Sequence, residues 1–382
     1  MDLLLCAFSL DSQVISQHLN LWFGAENPQP RSEKSSLFIG RSTTLPLGIQ
    51  LGLTAYPAYF FSKDNDFAVV AGLFDWPEIH AFLAAKDPDF LGALANAHHR
   101  APAEFISEQR SGYAAVRPQV MGILNLTPDS FYDGGLYQET DQALAQAQRM
   151  IDEGADWLDL GGESTRPGSE SVTTEEEIKR ILPALKAIKS RWSIPLSVDT
   201  TKPSVAKAAL EAGASMINDV SGLSGGEEML HWVRHFDAGY VLMHTQGTPK
   251  SMQVAPTYRN PVLDVAEFFE QRLALCQQSG LPKNRILLDS GIGFGKLLGH
   301  NLELLRMHSV WGSLGCQTLL GTSNKSFISK ALEIDPLERQ SASLATQVLG
   351  FQEGAQFFRV HQVKETRQAL DMAWAYQNIQ EE

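Results

Sequence analysis

Residues 195–213, PLSVDTTKPSVAKAALEAG, read as one strand, one turn and one helix. The β-rich run PLSVDT ends on Asp199 and Thr200. KPSVAKAALEAG opens with an early proline and stops on Gly213, the usual asymmetry of helix start and stop. A second β-rich run, SMINDVS, begins at Ser215. A strand that needs a helix before the next strand is a parallel βα unit.

The unit repeats. Further strands are predicted at QVMGILNL from Gln119, ADWLDLGG from Ala155, YVLMHT from Tyr240, ILLDSGI from Ile286, TLLGTS from Thr318 and QFFRVH from Gln356. With the two already named, that makes eight. Helical patterns lie between them. TTEEEIKRILPALKAIKSR opens on a threonine cap and an acidic first turn and closes on basic residues, as the helix dipole favours. Eight βα repeats over residues 119–382 match the order and size, roughly 250 residues, of a (β/α)8 barrel, the TIM barrel. A doubly wound α/β sheet more often has fewer strands and a glycine fingerprint in its first turn.

Residues 1–118 differ in texture. The strand-like runs SLFIGRST, AYFFSK and DFAVVAGLF precede helical PEIHAFLAA and a less regular stretch, which predicts a smaller α+β domain joined to the barrel near residues 100–118. Asp64, Asn65 and Asp66 read as a hairpin turn between two of those strands. No function is legible in this segment.

Composition narrows the functional classes. The 382 residues are 43% hydrophobic and 20% charged, an ordinary globular balance. The formal net charge is −13, so the overall field repels nucleic acid and anionic membranes, and a phosphorylated ligand needs a local cluster of cations. Cys6, Cys276 and Cys316 are few and widely spaced, which reads as reduced cytoplasmic thiols. The amino terminus lacks a basic n-region, and no apolar run is long enough to span a bilayer.

In a (β/α)8 barrel the chemistry sits at the carboxyl ends of the strands. Those ends supply Asn125; Glu163, Ser164, Thr165, Arg166 and Pro167; Asp199 and Thr200; Asn218 and Asp219; His244; Asp289; Ser323 with Lys325; and Arg359 with His361. An isolated lysine is ordinarily a solvated surface charge, but Lys325 falls at one of these ends. Asp199, Asn218, Asp289 and Lys325 suit a flat heterocycle rich in amide and amino groups. Arg166, Arg359 and His361, with Asn125, suit an anion such as a phosphate chain and its magnesium. Alternation along a strand is expected to turn Ser323 and Lys325 to one face and Asn324 to the other.

Other motifs fall short. GIGFGK, residues 291–296, lacks the first glycine of a phosphate loop, where Ser290 stands, and Leu297 follows Lys296 instead of Ser or Thr. Ser204 and Lys207 have S-x-x-K spacing but sit at a helix start.

The ordered motifs MGILNLTPDSFYDGG, DLGGESTRPGS, PLSVDTTKP, INDVSG, LMHTQGTPKSMQ, LLDSGIGFGK, GTSNKS and RVHQVKET resemble those of the dihydropteroate synthase family over residues 119–382. The resemblance implies a transferase that joins 6-hydroxymethyl-7,8-dihydropterin pyrophosphate to p-aminobenzoate, with Mg²⁺ as cofactor, in a cytoplasmic homodimer. It implies that Asp199, Asn218, Asp289 and Lys325 hold the pterin with Phe294 beside it. Asn125, Arg359 and His361 would hold pyrophosphate and the metal, and Thr165, Arg166, Pro167 and Ser323 would shape the p-aminobenzoate site. Asp199, Asp289, Lys325 and Arg359 would be the catalytic group.

The chain departs from the usual pattern at Ser290 and Ile292, at Asn324 where the family usually has arginine, and in its additional amino-terminal segment. The alternatives are a pterin-dependent methyltransferase acting on a corrinoid partner and a non-catalytic pterin-binding paralogue.

Overall fold

The computed structural model describes residues 3–11, 34–42, 58–63, 66–72, 117–127, 136–164, 169–247, 252–312 and 314–378. Thr165, Arg166, Pro167 and the expected helix at PEIHAFLAA lie outside the described residues.

In the amino-terminal part, four strands form an antiparallel sheet in the order β1-β2-β4-β3. They are β1 Leu3–Asp11, β2 Lys34–Ser42, β3 Ala58–Lys63 and β4 Asp66–Gly72. Lys63 pairs with Asp66 across β3 and β4, as the hairpin reading requires.

All eight strands expected of the barrel are present. They are β5 Gln119–Asn125, β6 Trp157–Gly161, β7 Leu196–Asp199, β8 Met216–Asp219, β9 Gly239–Met243, β10 Ile286–Asp289, β11 Gln317–Leu320 and β12 Phe357–Val360. They close in the parallel order β10-β11-β12-β5-β6-β7-β8-β9, with helices between them. Closure leaves no open sheet edge.

Local chemistry sets the helix ends. Thr173 caps the helix Thr174–Arg191 by accepting a hydrogen bond from the Glu176 N–H, and that helix buries Ile181, Leu185 and Ile188. Pro203 opens the helix Pro203–Glu211, whose Val205, Ala206, Ala209 and Leu210 are buried. Among the described residues no helix is long and apolar enough to cross a membrane.

Register divides the barrel interior into levels. Met121, Trp157, Met216, Val241, Leu287, Leu319 and Phe357 form one buried apolar cluster, the floor. Trp157 and Phe357 meet edge to face there, with ring centroids 6.2 Å apart. Strand side chains repeat with period 2, so the same faces next present Ile123, Asp159, Asn218, Met243, Asp289, Gly321 and Arg359. The interior thus changes from apolar to ionic within one repeat.

Candidate active site

A pocket above the floor is lined by Asn218, Asp289, Phe294, Ser323, Lys325, Arg359 and His361, together with Ile123, Val220, Met243, Ile292 and Gly321. Seven residues expected from the sequence to bind substrate therefore share one cavity.

One side of it is an ionic chain. Arg359 donates from Nε to Asp159 Oδ2 at 2.6 Å and from Nη2 to Asp199 Oδ2 at 2.7 Å. Asn218 Nδ2 donates to the same Asp159 oxygen at 3.2 Å. Asp159, Asp199 and Asn218 are all buried. Burial pushes the Asp199 carboxyl up to about 7, against the pull of Arg359. Asp159 Oδ1 and Asp199 Oδ1 are buried with no hydrogen-bond partner. Orphaned carboxylate oxygens are costly, which fits a site built for a ligand with donors.

In the same pocket, Lys325 Nζ lies 4.0 Å from the centre of the Phe294 ring, a cation–π contact. Burial lowers this lysine to about 8, and the nearby Asp289 opposes that shift. Burial raises Asp289, against the Gly291 N–H, which donates to its Oδ1 at 2.8 Å. The loop after β10 brings Phe294 to the lysine. Gly291 adopts φ +67°, and a Cβ there would stand 2.0 Å from the His244 carbonyl oxygen, so only glycine fits.

Lys296 and His244 brace that loop. Lys296 Nζ donates to the Phe294 carbonyl at 2.8 Å and the His244 carbonyl at 3.3 Å, and lies 3.0 Å from His244 Nδ1. Burial lowers Lys296 to about 7, and burial together with Lys296 holds His244 well below the ordinary histidine value. The lysine of GIGFGK is thus a loop strut.

The residues 321–325 correct one expectation. β11 ends at Leu320, and the chain turns instead of continuing as a strand. Asn324 takes φ +56°, a left-handed turn that asparagine tolerates better than most residues. Its N–H donates to Ser343 Oγ at 3.1 Å, and its carbonyl accepts from Arg339 Nη1 at 2.9 Å. Ser323 and Lys325 both reach the pocket, but a turn places them there, not strand alternation. Ser323 Oγ lies 3.0 Å from His361 Nδ1 and accepts from the His361 N–H at 3.2 Å.

Other strand-end residues have partners of their own. Asp219 accepts from Ser221 N, Leu223 N and Tyr240 OH, which makes it a turn-former. Glu163 and Glu177 both pair with Lys202. Thr200 Oγ1 accepts from Lys202 N at 3.2 Å.

Asn125 ends β5 at the barrel mouth. A Cβ at Gly161 would lie 3.7 Å from Asn125 Oδ1 and 3.8 Å from Asp199 Cβ, so the glycine keeps a gap between them. Among the described residues there is no cluster of three or more His, Cys, Asp or Glu able to cage a metal. An amide oxygen such as that of Asn125 is a donor Mg²⁺ can take, since that ion keeps most of its waters and needs few protein ligands.

Asp159 is the residue that sequence reasoning missed. Its only signal was a carboxylate within the otherwise apolar WLDLG.

The chain is similar to known proteins in both sequence and structure. The family model described as pterin binding enzyme matches residues 121–361. A dihydropteroate synthase of Escherichia coli is 44% identical over 253 residues, covering 66% of this chain and 89% of that protein. The structure of the Yersinia pestis dihydropteroate synthase with a sulfonamide drug superposes with a TM-score of 0.66 at 42% identity, covering 71% of this chain and 98% of that one. The Xanthomonas albilineans dihydropteroate synthase with 4-aminobenzoic acid superposes at 0.65 with 41% identity, covering 69% and 94%.

Proposed function

This chain belongs to the dihydropteroate synthase family of pterin-binding enzymes, and from that premise we propose that it joins 6-hydroxymethyl-7,8-dihydropterin pyrophosphate to p-aminobenzoate. The products are 7,8-dihydropteroate and pyrophosphate, and the enzyme is a transferase of folate biosynthesis. One observation carries the reading: a single pocket is lined by Asp289, Asn218, Lys325 and Phe294 together with Arg359. A pterin offers amino and ring N–H groups to Asp289 and Asn218, its carbonyl to Lys325, and its pyrophosphate to the arginine.

In the reaction the C–O bond to pyrophosphate breaks, the leaving group takes the electron pair, and the amine nitrogen bonds to the pterin methylene and then loses a proton. Asp199, Asp289, Lys325 and Arg359 are the catalytic group. Asp289 and Asn218 accept from the pterin, and Asp199 supports its electron-poor ring. Lys325 donates to the pterin carbonyl and ring nitrogen from its place over the Phe294 ring. Arg359 and His361 hold the departing anion, whose charge is best met by preorganised donors. Asn125 would hold Mg²⁺, which when bound supplies positive charge to the pyrophosphate. The aryl amine is neutral and attacks without a strong base. Ser323, with Thr165, Arg166 and Pro167, shapes the p-aminobenzoate site, where sulfonamides would compete.

Residues 119–382 carry this activity, and residues 1–118 form a separate domain. The protein is further read as a cytoplasmic homodimer, to which the exposed Leu349, Met372 and Tyr376 on the last two helices would contribute.

The test is turnover of the full chain with both substrates and Mg²⁺. Pyrophosphate release that requires p-aminobenzoate supports the reading. A folded protein that releases none, or that releases it equally without the amine, sinks it.

A further inference from the structure

Asp159 is fully buried on β6, two residues beyond Trp157 of the floor. Its Oδ2 takes both the Arg359 Nε–H at 2.6 Å and the Asn218 amide at 3.2 Å, while its Oδ1 has no partner. A buried ion pair is weak evidence of a stabilising role, because such pairs can often be replaced by apolar side chains at no loss of stability. The floor of the same strands shows that apolar packing is at hand there.

The bonds specify what the carboxylate does. An ionised carboxylate only accepts, so Asn218 must turn its NH₂ toward Asp159 and its Oδ1 toward the pocket that it lines. Its oxygen is thereby presented to a ligand N–H. Arg359 is gripped at Nε by Asp159 and at Nη2 by Asp199, so both carboxylates fix its plane and share its charge. One buried residue therefore links the group assigned to the pterin with the group assigned to the leaving anion.

We propose that Asp159 is a positioning residue that orients the Asn218 amide and the Arg359 guanidinium together, trading anion affinity for geometry. The inference rests on the reaction proposed above. A second carboxylate on Arg359 weakens the arginine's hold on pyrophosphate in the ground state but keeps it aimed at the position where charge develops.

Opposite movements of two quantities follow, where a loss of structure would move both the same way. Asp159→Asn keeps the shape and an acceptor oxygen but removes the charge. Its kcat is expected to fall about tenfold or more, while pyrophosphate in fixed excess Mg²⁺ binds about three- to tenfold more tightly by calorimetry. A wild-type kcat overturns the proposal, as does pyrophosphate affinity that falls together with kcat.

Asp159→Glu keeps the charge and shifts the carboxylate by one methylene. It should lower kcat with pyrophosphate affinity within about twofold of wild type. This variant decides the matter if Asp159→Asn does not fold, and a wild-type kcat for it is again fatal. Failure of the reaction reading is seen separately, as an unmodified chain without turnover, and the pyrophosphate titrations of both variants still test Asp159.

Discussion

The floor of the barrel and its mouth are built on the same strand faces, two residues apart. Met121, Trp157, Met216, Val241, Leu287, Leu319 and Phe357 form one buried apolar cluster. The positions two further along include Asp159, Asn218, Asp289 and Arg359, where Asp159 accepts from both Asn218 and Arg359 and still has one carboxylate oxygen without a partner. Burial of apolar area is non-directional, so the floor can stabilise the barrel regardless of what lies above it. The mouth spends part of that stability on buried charge. If this division holds, damage to the floor should appear as lost stability and damage to the mouth as lost turnover.

The largest effect expected is at the floor. Trp157→Ala removes a large buried side chain and its edge contact with Phe357, and should cost about 3–5 kcal/mol in a denaturant titration. Protein that remains folded should keep its affinity for pyrophosphate. A wild-type midpoint would mean that Trp157 is not part of the core.

Acid should strike the lower end next. His308 is fully buried, and burial lowers it to about 3. Thr318 Oγ1 donates to Gln356 Oε1 at 3.0 Å, which leaves it to accept from His308 Nε2–H at 2.8 Å. His308 Nδ1 is buried without a partner. The folded value lies below the unfolded one, near 6.5, so the contribution is complete above that pH and is lost as pH falls toward 3. Between about pH 6.5 and 4 the loss should be on the order of 3 kcal/mol. Unfolding curves of wild type and His308→Gln over that range should diverge. Parallel curves would show that the imidazole is not held neutral.

At the mouth, Lys325→Ala should leave the denaturation midpoint near that of wild type and lower turnover by about a hundredfold or more, or 2.7 kcal/mol. The variant strands a pterin acceptor in a desolvated pocket and removes the cation from the Phe294 ring. Near-normal steady-state turnover would remove Lys325 from the catalytic group.

The strands and helices were legible in sequence because period and punctuation carry them. PLSVDT and KPSVAKAALEAG contain their own start and stop signals, and each became the element expected. Convergence at the strand ends was legible for Asp199, Asn218, Asp289 and Arg359, since a barrel forces strand ends together. Asp159 was not. It interrupts a run buried throughout, and its meaning depends on register with β12, two hundred residues away. The Lys296 strut was hidden for the same reason, because its partner His244 lies on another strand end. Strand alternation failed over residues 321–325 because period 2 needs a ladder, and the ladder stops at Leu320.

That turn gives the smallest expected effect. Asn324 stands where the family usually has arginine, yet its backbone is held from both sides, by Ser343 Oγ at the N–H and by Arg339 at the carbonyl. Arg339 also donates to Ser329 Oγ at 2.6 Å, so a guanidinium already ties the turn to the helix Ser326–Leu332. Asn324→Arg keeps these backbone bonds. It gives up the tolerance of asparagine for φ +56°, at a cost of order 1 kcal/mol in stability. Turnover should change by about tenfold or less, or 1.4 kcal/mol, because Ser323 and Lys325 stay where the turn puts them. Steady-state kinetics and a denaturation curve on this one variant separate the two contributions. If Asn324→Arg created activity in an otherwise inert chain, the missing arginine would prove essential, and the turn alone would not suffice to place Lys325.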